Sequence, residues 1–300
     1  MAAMARSGDN GKLRKQEPMS RHTTWRVGGP ADLYYKPADL EDLCGFVAGV
    51  PADVDVVWLG LGSNLLVRDG GIRGVVIATH GALGRIDDLD DSRLRVEAGV
   101  PCAKLARHCA RRGIGPAEFF AGIPGTVGGA LAMNAGAFGG ETWECVTAVE
   151  TLNRQGQIKH RKASEYDVGY RSVIGPECEW FVAAQMQFHT GATTGEDAIK
   201  DILARRKDTQ PLGEPSCGSV FRNPPGDHAA RLIESAGLKG YRIGGAHVSE
   251  KHANFIINDG SATAADVEAL INHVATTVES SQGVELQTEV RIIGDAREVS

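Results

Sequence analysis

Two glycine clusters carry the first chemical signal in this chain. One is Gly60-Leu61-Gly62-Ser63-Asn64, followed by Leu65. The other is Gly122-Ile123-Pro124-Gly125-Thr126-Val127-Gly128-Gly129. Successive backbone N–H groups in such loops converge on oxyanions, and missing β-carbons let a pyrophosphate approach. Either loop alone reads more simply as an ordinary tight turn. Glycine supplies 38 of 300 residues, well above the usual ~7%, and its clustering points to positional roles. Familiar phosphate motifs fail. The third glycine of G-x-G-x-x-G falls on Leu65, and neither loop carries the G-K-[ST] of a Walker A sequence. A nucleotide site here is therefore neither Rossmann nor P-loop.

Other reactive side chains are unremarkable by themselves. Ser219 beside Gly218 reads as a turn residue, Arg171 as a surface ion pair and Glu289 as a solvent-facing strand carboxylate. Cys217 sits two residues before Ser219, but no histidine base is set beside it, so it reads as a small packed residue. His247 and His252 read as structural or solvent-facing. The six cysteines form no C-x-x-C pair, and no histidine has zinc-ligand spacing, so no metal is expected. Free thiols point to a reducing cytoplasm. A net charge of −6 argues against non-specific binding to nucleic acid or anionic membrane. No run of about 18 apolar residues suggests a membrane span. Residues 1–19 are polar and lack the apolar stretch of a secretory signal, so a disordered tail is expected there.

The elements that must position these residues follow from hydrophobic spacing. Segments 54–59, 65–67, 74–78 and 94–98 read as strands, with a helix over 39–47. A helix over 101–112 turns Leu105, Ala106 and Cys109 inward and ends at Gly113. Segments 146–152, 157–160 and 180–188 read as sheet, and a helix over 198–209 runs into Pro211, which marks a boundary. Beyond it, helices are expected over 229–236 and 264–278, with strands over 244–248, 253–258 and 289–293. Strands and helices do not alternate strictly, so the class is α+β.

At the two glycine loops the chain resembles the UDP-N-acetylenolpyruvoylglucosamine reductases, flavoenzymes of peptidoglycan synthesis also called UDP-N-acetylmuramate dehydrogenases. The resemblance runs over 20–294. It begins with Thr24-Trp25-Arg26-Val27-Gly28-Gly29-Pro30-Ala31 and Gly62-Ser63-Asn64-Leu65-Leu66, then takes in Ala121-Gly122-Ile123-Pro124-Gly125-Thr126-Val127-Gly128-Gly129 and Met133-Asn134-Ala135-Gly136-Ala137. Gly169-Tyr170-Arg171-Ser172, Thr209-Gln210-Pro211 and Gly218-Ser219-Val220-Phe221-Arg222-Asn223-Pro224 follow, and Leu238-Lys239-Gly240 and Glu289-Val290-Arg291 complete the set. Trp25 departs from the family, which usually has a smaller aromatic or aliphatic residue there.

The resemblance implies an FAD-binding domain of vanillyl-alcohol-oxidase type followed by a smaller α+β substrate domain. With the boundaries above, this means a tail over 1–19 and an FAD region over 20–205, in subdomains of about 20–80 and 81–205. A substrate domain over 206–285 follows, and a strand within 286–300 returns to the FAD region. It implies non-covalent FAD held at Gly60, Gly62, Ser63, Asn64, Leu65, Gly122, Ile123, Pro124, Gly125, Thr126, Gly128, Gly129, Asn134 and Gly136. NADPH is the implied reductant, and a UDP-sugar carrying an enolpyruvyl group is the implied substrate of a cytoplasmic monomer. The spacing from Glu196 onward resembles the shorter family subtype, without an added tyrosine-bearing loop.

Such a reaction must stabilise charge on the enolpyruvyl carboxylate and then protonate the α-carbon. The planar fork of Arg171 suits the carboxylate. The resemblance makes Ser219 the proton donor and Glu289 the group that supports the developing enol. Tyr170, Arg222, Asn223 and Lys251 are the implied substrate contacts. A covalent flavin oxidase is a rival of the same superfamily, disfavoured by Gly, Ser and Asn at the loop positions where a linkage would need His or Cys. A catalytically dead nucleotide-sugar sensor is a second, disfavoured by retention of Arg171, Ser219 and Glu289 together.

Overall fold

The computed structural model describes residues 11–191 and 195–297. Six α-helices lie within them: α1 (Leu40–Ala48), α2 (Cys102–Arg112), α3 (Val127–Met133), α4 (Glu196–Thr209), α5 (Ala229–Ser235) and α6 (Ala264–Gln282). Their ends have local causes. Asp39 caps α1 by accepting from Asp42 N at 2.9 Å. Gly113 closes α2 in a left-handed conformation at φ 63°. Thr263 and Asp266 form a capping box on α6, a device worth about 1 kcal/mol. Leu105, Ala106 and Cys109 are buried along α2, on the face their spacing predicts.

The chain forms two compact units, each discontinuous. Of the described residues, the first takes 11–14, 33–60, 74–191 and 195–205, and the second takes 15–32, 61–73 and 206–297. The first is built on an antiparallel sheet in the order Ile158–Lys162, Val146–Asn153, Glu179–Gln187, Arg93–Glu97, Ile86–Asp88. A core of Leu94, Leu105, Phe120, Leu131, Met186 and Phe188 lies on it. Residues 33–36, 56–59 and 74–78 belong to a four-stranded sheet, in which Val56 lies opposite Val75 in parallel register. Here Tyr35 stacks on Phe46 with ring centroids 3.6 Å apart.

The second unit packs α5 and α6 with a sheet of Arg242–Ile243, Ala246–Val248 and Ile256–Asn258. Arg291–Ile293 runs parallel to Leu65–Val67, Ile292 opposite Leu66. Trp25 is fully buried. Its Nε1 donates to the Ile256 carbonyl at 2.7 Å, and its own carbonyl accepts from Asn258 Nδ2 at 2.8 Å. A bidentate Arg68–Glu268 pair holds the Glu268 carboxyl below its ordinary range.

Two expectations need correction. Lys12–Pro18 is a strand, so the part of the expected tail after residue 11 is ordered; residues 1–10 lie outside the described residues. Residues 15–32 and 61–73 pack with the second compact unit. Buried Trp25 and Leu66 are the reason, because they complete the core of that unit. The final strand begins at Arg291, not at Glu289, because the Glu289 N–H is drawn aside to the Val220 carbonyl at 2.8 Å.

Candidate active site

The second glycine loop leads into α3. Thr126 is its N-cap, buried, and its Oγ1 accepts from Gly129 N at 3.4 Å. The N–H groups of Val127 and Gly128 are used by the carbonyls of Val100 and Ala98, both at 2.8 Å. Those of Gly125 and Thr126 have no partner among the described residues. Gly129 is exposed, and a β-carbon there would meet only Thr126 Oγ1, at 3.8 Å. Two unclaimed donors beside a bare turn fit an oxyanion group such as the FAD pyrophosphate. A β-carbon on Gly60 would run into Thr126 Oγ1, so the start of the first loop meets the second. A β-carbon on Gly128 would press on Ala98. Gly122 faces the Phe138 ring. Ile123 is buried and Pro124 exposed.

In the same unit, Arg171 occupies the second position of a two-residue turn between Asp167–Gly169 and Ser172–Ile174. Its φ of 53° is left-handed, a conformation that costs a non-glycine residue about 1–2 kcal/mol. Its Nη1 donates to Asn134 O at 3.2 Å and its Nη2 to Gly136 O at 2.9 Å. The guanidinium carbon lies 5.0 Å from the centroid of the exposed Tyr170 ring. Asn134 is 2% exposed, and its amide is committed to Glu141, Gly169 and Trp143. Gly136 likewise offers its carbonyl to Arg171.

The rest of the first loop lies in the second unit. Position 62 calls for glycine twice over, because its φ of 64° is left-handed and a β-carbon would strike the His22 carbonyl. Asn64 Nδ2 donates to the Glu289 carbonyl at 3.0 Å, and Asn64 O accepts from Arg291 N at 3.1 Å. The Leu65 carbonyl faces the buried Cys217 thiol at 3.5 Å, and Thr24 Oγ1 lies 3.2 Å from the same sulfur. Burial pushes that thiol up to about 11, so it packs and does not attack. Next to it, Ser219 is half-buried, and its Oγ has no partner among the described residues. Glu289 is half-buried beside Val220. Ser63 is half-buried in the same loop. The structure thus brings Ser63, Asn64, Ser219 and Glu289 into one woven region.

The expected substrate contacts differ among themselves. Arg222 has a buried Nε without a partner, a state that calls for an anion or water. Exposed Asn223 caps α5, its Oδ1 accepting from Ala229 N at 3.1 Å. Lys251 Nζ donates to the Lys207 carbonyl in the last turn of α4. Sequence reasoning missed Glu141 and the part Cys217 plays as a tie, since neither has a local pattern that marks it.

Comparison with known proteins agrees with this geometry. A family model described as FAD binding domain matches residues 31–161, and one described as UDP-N-acetylenolpyruvoylglucosamine reductase, C-terminal domain, matches 210–293. The chain is 56% identical over 298 residues to the UDP-N-acetylenolpyruvoylglucosamine reductase of Alkalilimnicola ehrlichii, covering 99% of this chain and 100% of that protein. It is 57% identical over 288 residues to that of Legionella pneumophila, covering 95% of each. The crystal structure of UDP-N-acetylenolpyruvylglucosamine reductase from Thermus caldophilus matches with a TM-score of 0.78 at 32% identity, covering 94% of this chain and 98% of that one. An α+β architecture with an FAD-binding domain, and identity sustained through both units, lead to one conclusion: the chain belongs to the UDP-N-acetylenolpyruvoylglucosamine reductase family.

Proposed function

We propose that this protein reduces UDP-N-acetylglucosamine enolpyruvate to UDP-N-acetylmuramate in peptidoglycan precursor synthesis, with non-covalent FAD and with NADPH as reductant. The observation that carries this reading is the 56% identity along 99% of the chain to a relative named for that reduction. When bound, FAD supplies two-electron transfer between the nicotinamide and the enolpyruvyl carbon. Gly125 and Thr126 N–H would hold its pyrophosphate, and Gly129 leaves the approach clear. An enol ether accepts electrons poorly, so charge must be relieved at its carboxylate. The Arg171 fork would do this by bidentate hydrogen bonding. Ser219 Oγ, without a protein partner, would pass its proton to the α-carbon, and Glu289 would support the developing enol. Arg222, Asn223 and Tyr170 would hold the uridine diphosphate part.

The protein would work as a cytoplasmic monomer; among the described residues no helix is long and apolar enough to cross a membrane. The purified protein should be yellow, release its flavin on acid precipitation, bleach anaerobically with NADPH, and recover colour with the enolpyruvyl substrate. Bleaching without substrate-dependent recovery would sink the assignment of the substrate. A flavin that stays with the acid precipitate would mean a covalent linkage.

A further inference from the structure

A long side chain on a left-handed turn stays in one place only if its head is held. Arg171 is held by two backbone carbonyls, those of Asn134 and Gly136. Gly136 lies in a short strand paired with Glu141, whereas the Asn134 carbonyl lies beyond the last turn of α3. Asn134 ends α3 with φ 45°, itself left-handed. Its side chain is tied on every side: Nδ2 donates to Glu141 Oε2 at 2.7 Å and to Gly169 O at 3.2 Å, and Oδ1 accepts from Trp143 N at 3.1 Å. Gly169 is the residue at the base of the Arg171 turn. Asn134 therefore grips that turn at both ends, through its amide at Gly169 and through its carbonyl at the guanidinium. The short bond from Glu141 is charge-assisted, the strongest of the three ties.

From this we infer that Glu141 and Asn134 are positioning residues: the Glu141–Asn134 pair sets the direction of the Arg171 guanidinium. The inference rests on the reading of Arg171 as the group that meets the substrate carboxylate. Two of its N–H donors go to the carbonyls, and these bonds fix the plane of the guanidinium. A carboxylate matched to a fork is sensitive to angle, and a misplacement near 1 Å can cost roughly 10²-fold in rate. Glu141 would never touch the substrate, and its effect would pass through Arg171.

A double-mutant cycle on the flavin-loaded enzyme tests this, read by stopped-flow reoxidation of reduced flavin with the enolpyruvyl substrate. Glu141→Ala should slow reoxidation by roughly 10–10²-fold, with flavin reduction by NADPH unchanged. Glu141→Gln keeps an acceptor for Asn134 and should recover most of the loss. In an Arg171→Ala background, adding Glu141→Ala should change reoxidation by less than about 2-fold, because residues that act through one another are non-additive. Equal slowing in both backgrounds overturns the inference while leaving the Arg171 reading intact. Normal reoxidation in Arg171→Ala removes that reading, and the inference with it. If Glu141→Ala does not fold, Asn134→Gly replaces it, since glycine accepts the left-handed backbone and keeps the carbonyl but drops the amide ties. Loss of flavin from both variants assigns the pair to cofactor binding or folding, and also overturns it.

Discussion

Asn64 Nδ2 donates to the Glu289 carbonyl at 3.0 Å, joining residues 225 positions apart. The bond fixes the backbone that carries a proposed catalytic carboxylate. Leaving a buried acceptor unsatisfied costs about 1–3 kcal/mol. Asn64→Ala should lower stability to urea by about that amount and slow reoxidation by substrate. Unchanged stability together with unchanged reoxidation would show that Glu289 is held by other means.

Ser219→Ala should separate the two half-reactions. The Ser219 hydroxyl has no partner among the described residues, so the substitution removes no internal bond. Bleaching by NADPH should proceed at close to the normal rate. Reoxidation should slow by roughly 10²–10⁴-fold, the usual worth of a general acid. Ser219→Cys should recover part of it, since a thiol is also a donor. Equal slowing of both halves would mean damage to the flavin site instead.

Arg171→Lys keeps the charge but loses the fork, and turnover should drop by about 10²–10³-fold. Backbone strain gives a second handle. Arg171→Ala and Arg171→Gly both remove the guanidinium, so their activities should be equally low. The glycine variant should be the more stable of the two by about 1 kcal/mol, because φ is 53° there. Equal melting temperatures would argue that the turn relaxes when the side chain is gone.

Gly129→Ala should act in opposite directions on fold and cofactor. A β-carbon there touches only Thr126 Oγ1 at 3.8 Å, and alanine favours a helix over glycine by up to about 1 kcal/mol. The apoprotein should be at least as stable as the parent, while flavin occupancy measured from the visible spectrum falls. Full occupancy would place the pyrophosphate elsewhere.

Burial lowers the His252 imidazole below its ordinary value of 6.5; Lys239 adds to the lowering and Glu234 opposes it. Its Nδ1 accepts from Asn254 N at 3.3 Å, a bond only the neutral ring can make. Between the folded value and 6.5 the unfolded chain binds more protons, so stability present above 6.5 is lost as pH falls through that window. His252→Gln should flatten this part of the stability-against-pH curve in urea titrations. An unchanged slope would mean that the ring is solvated.

Much of the local structure was legible in the chain. The α2 face of Leu105, Ala106 and Cys109 follows from spacing, and the Gly113 stop from its left-handed cap. The helix expected over 264–278 is α6, which starts at Ala264. The packing of residues 15–32 and 61–73 with the second compact unit has no local signal. No local signal tells that Trp25 will be buried against Ile256. The bond from Lys251 to the Lys207 carbonyl depends on where α4 ends.

By itself, the sequence determined elements such as α2 and α6, the glycine loops and the ordered motifs that identify the family, because propensity and motif spacing act over a few residues. Only the tertiary structure decided which N–H groups of the second loop stay unclaimed, since Val100 and Ala98 lie more than twenty residues upstream. It also decided that Asn134 turns inward to Glu141 and holds Arg171, and that Asn64 belongs with Glu289. Those choices depend on satisfying buried donors and acceptors from distant parts of the chain, and the competition among partners is settled only when the cores have packed.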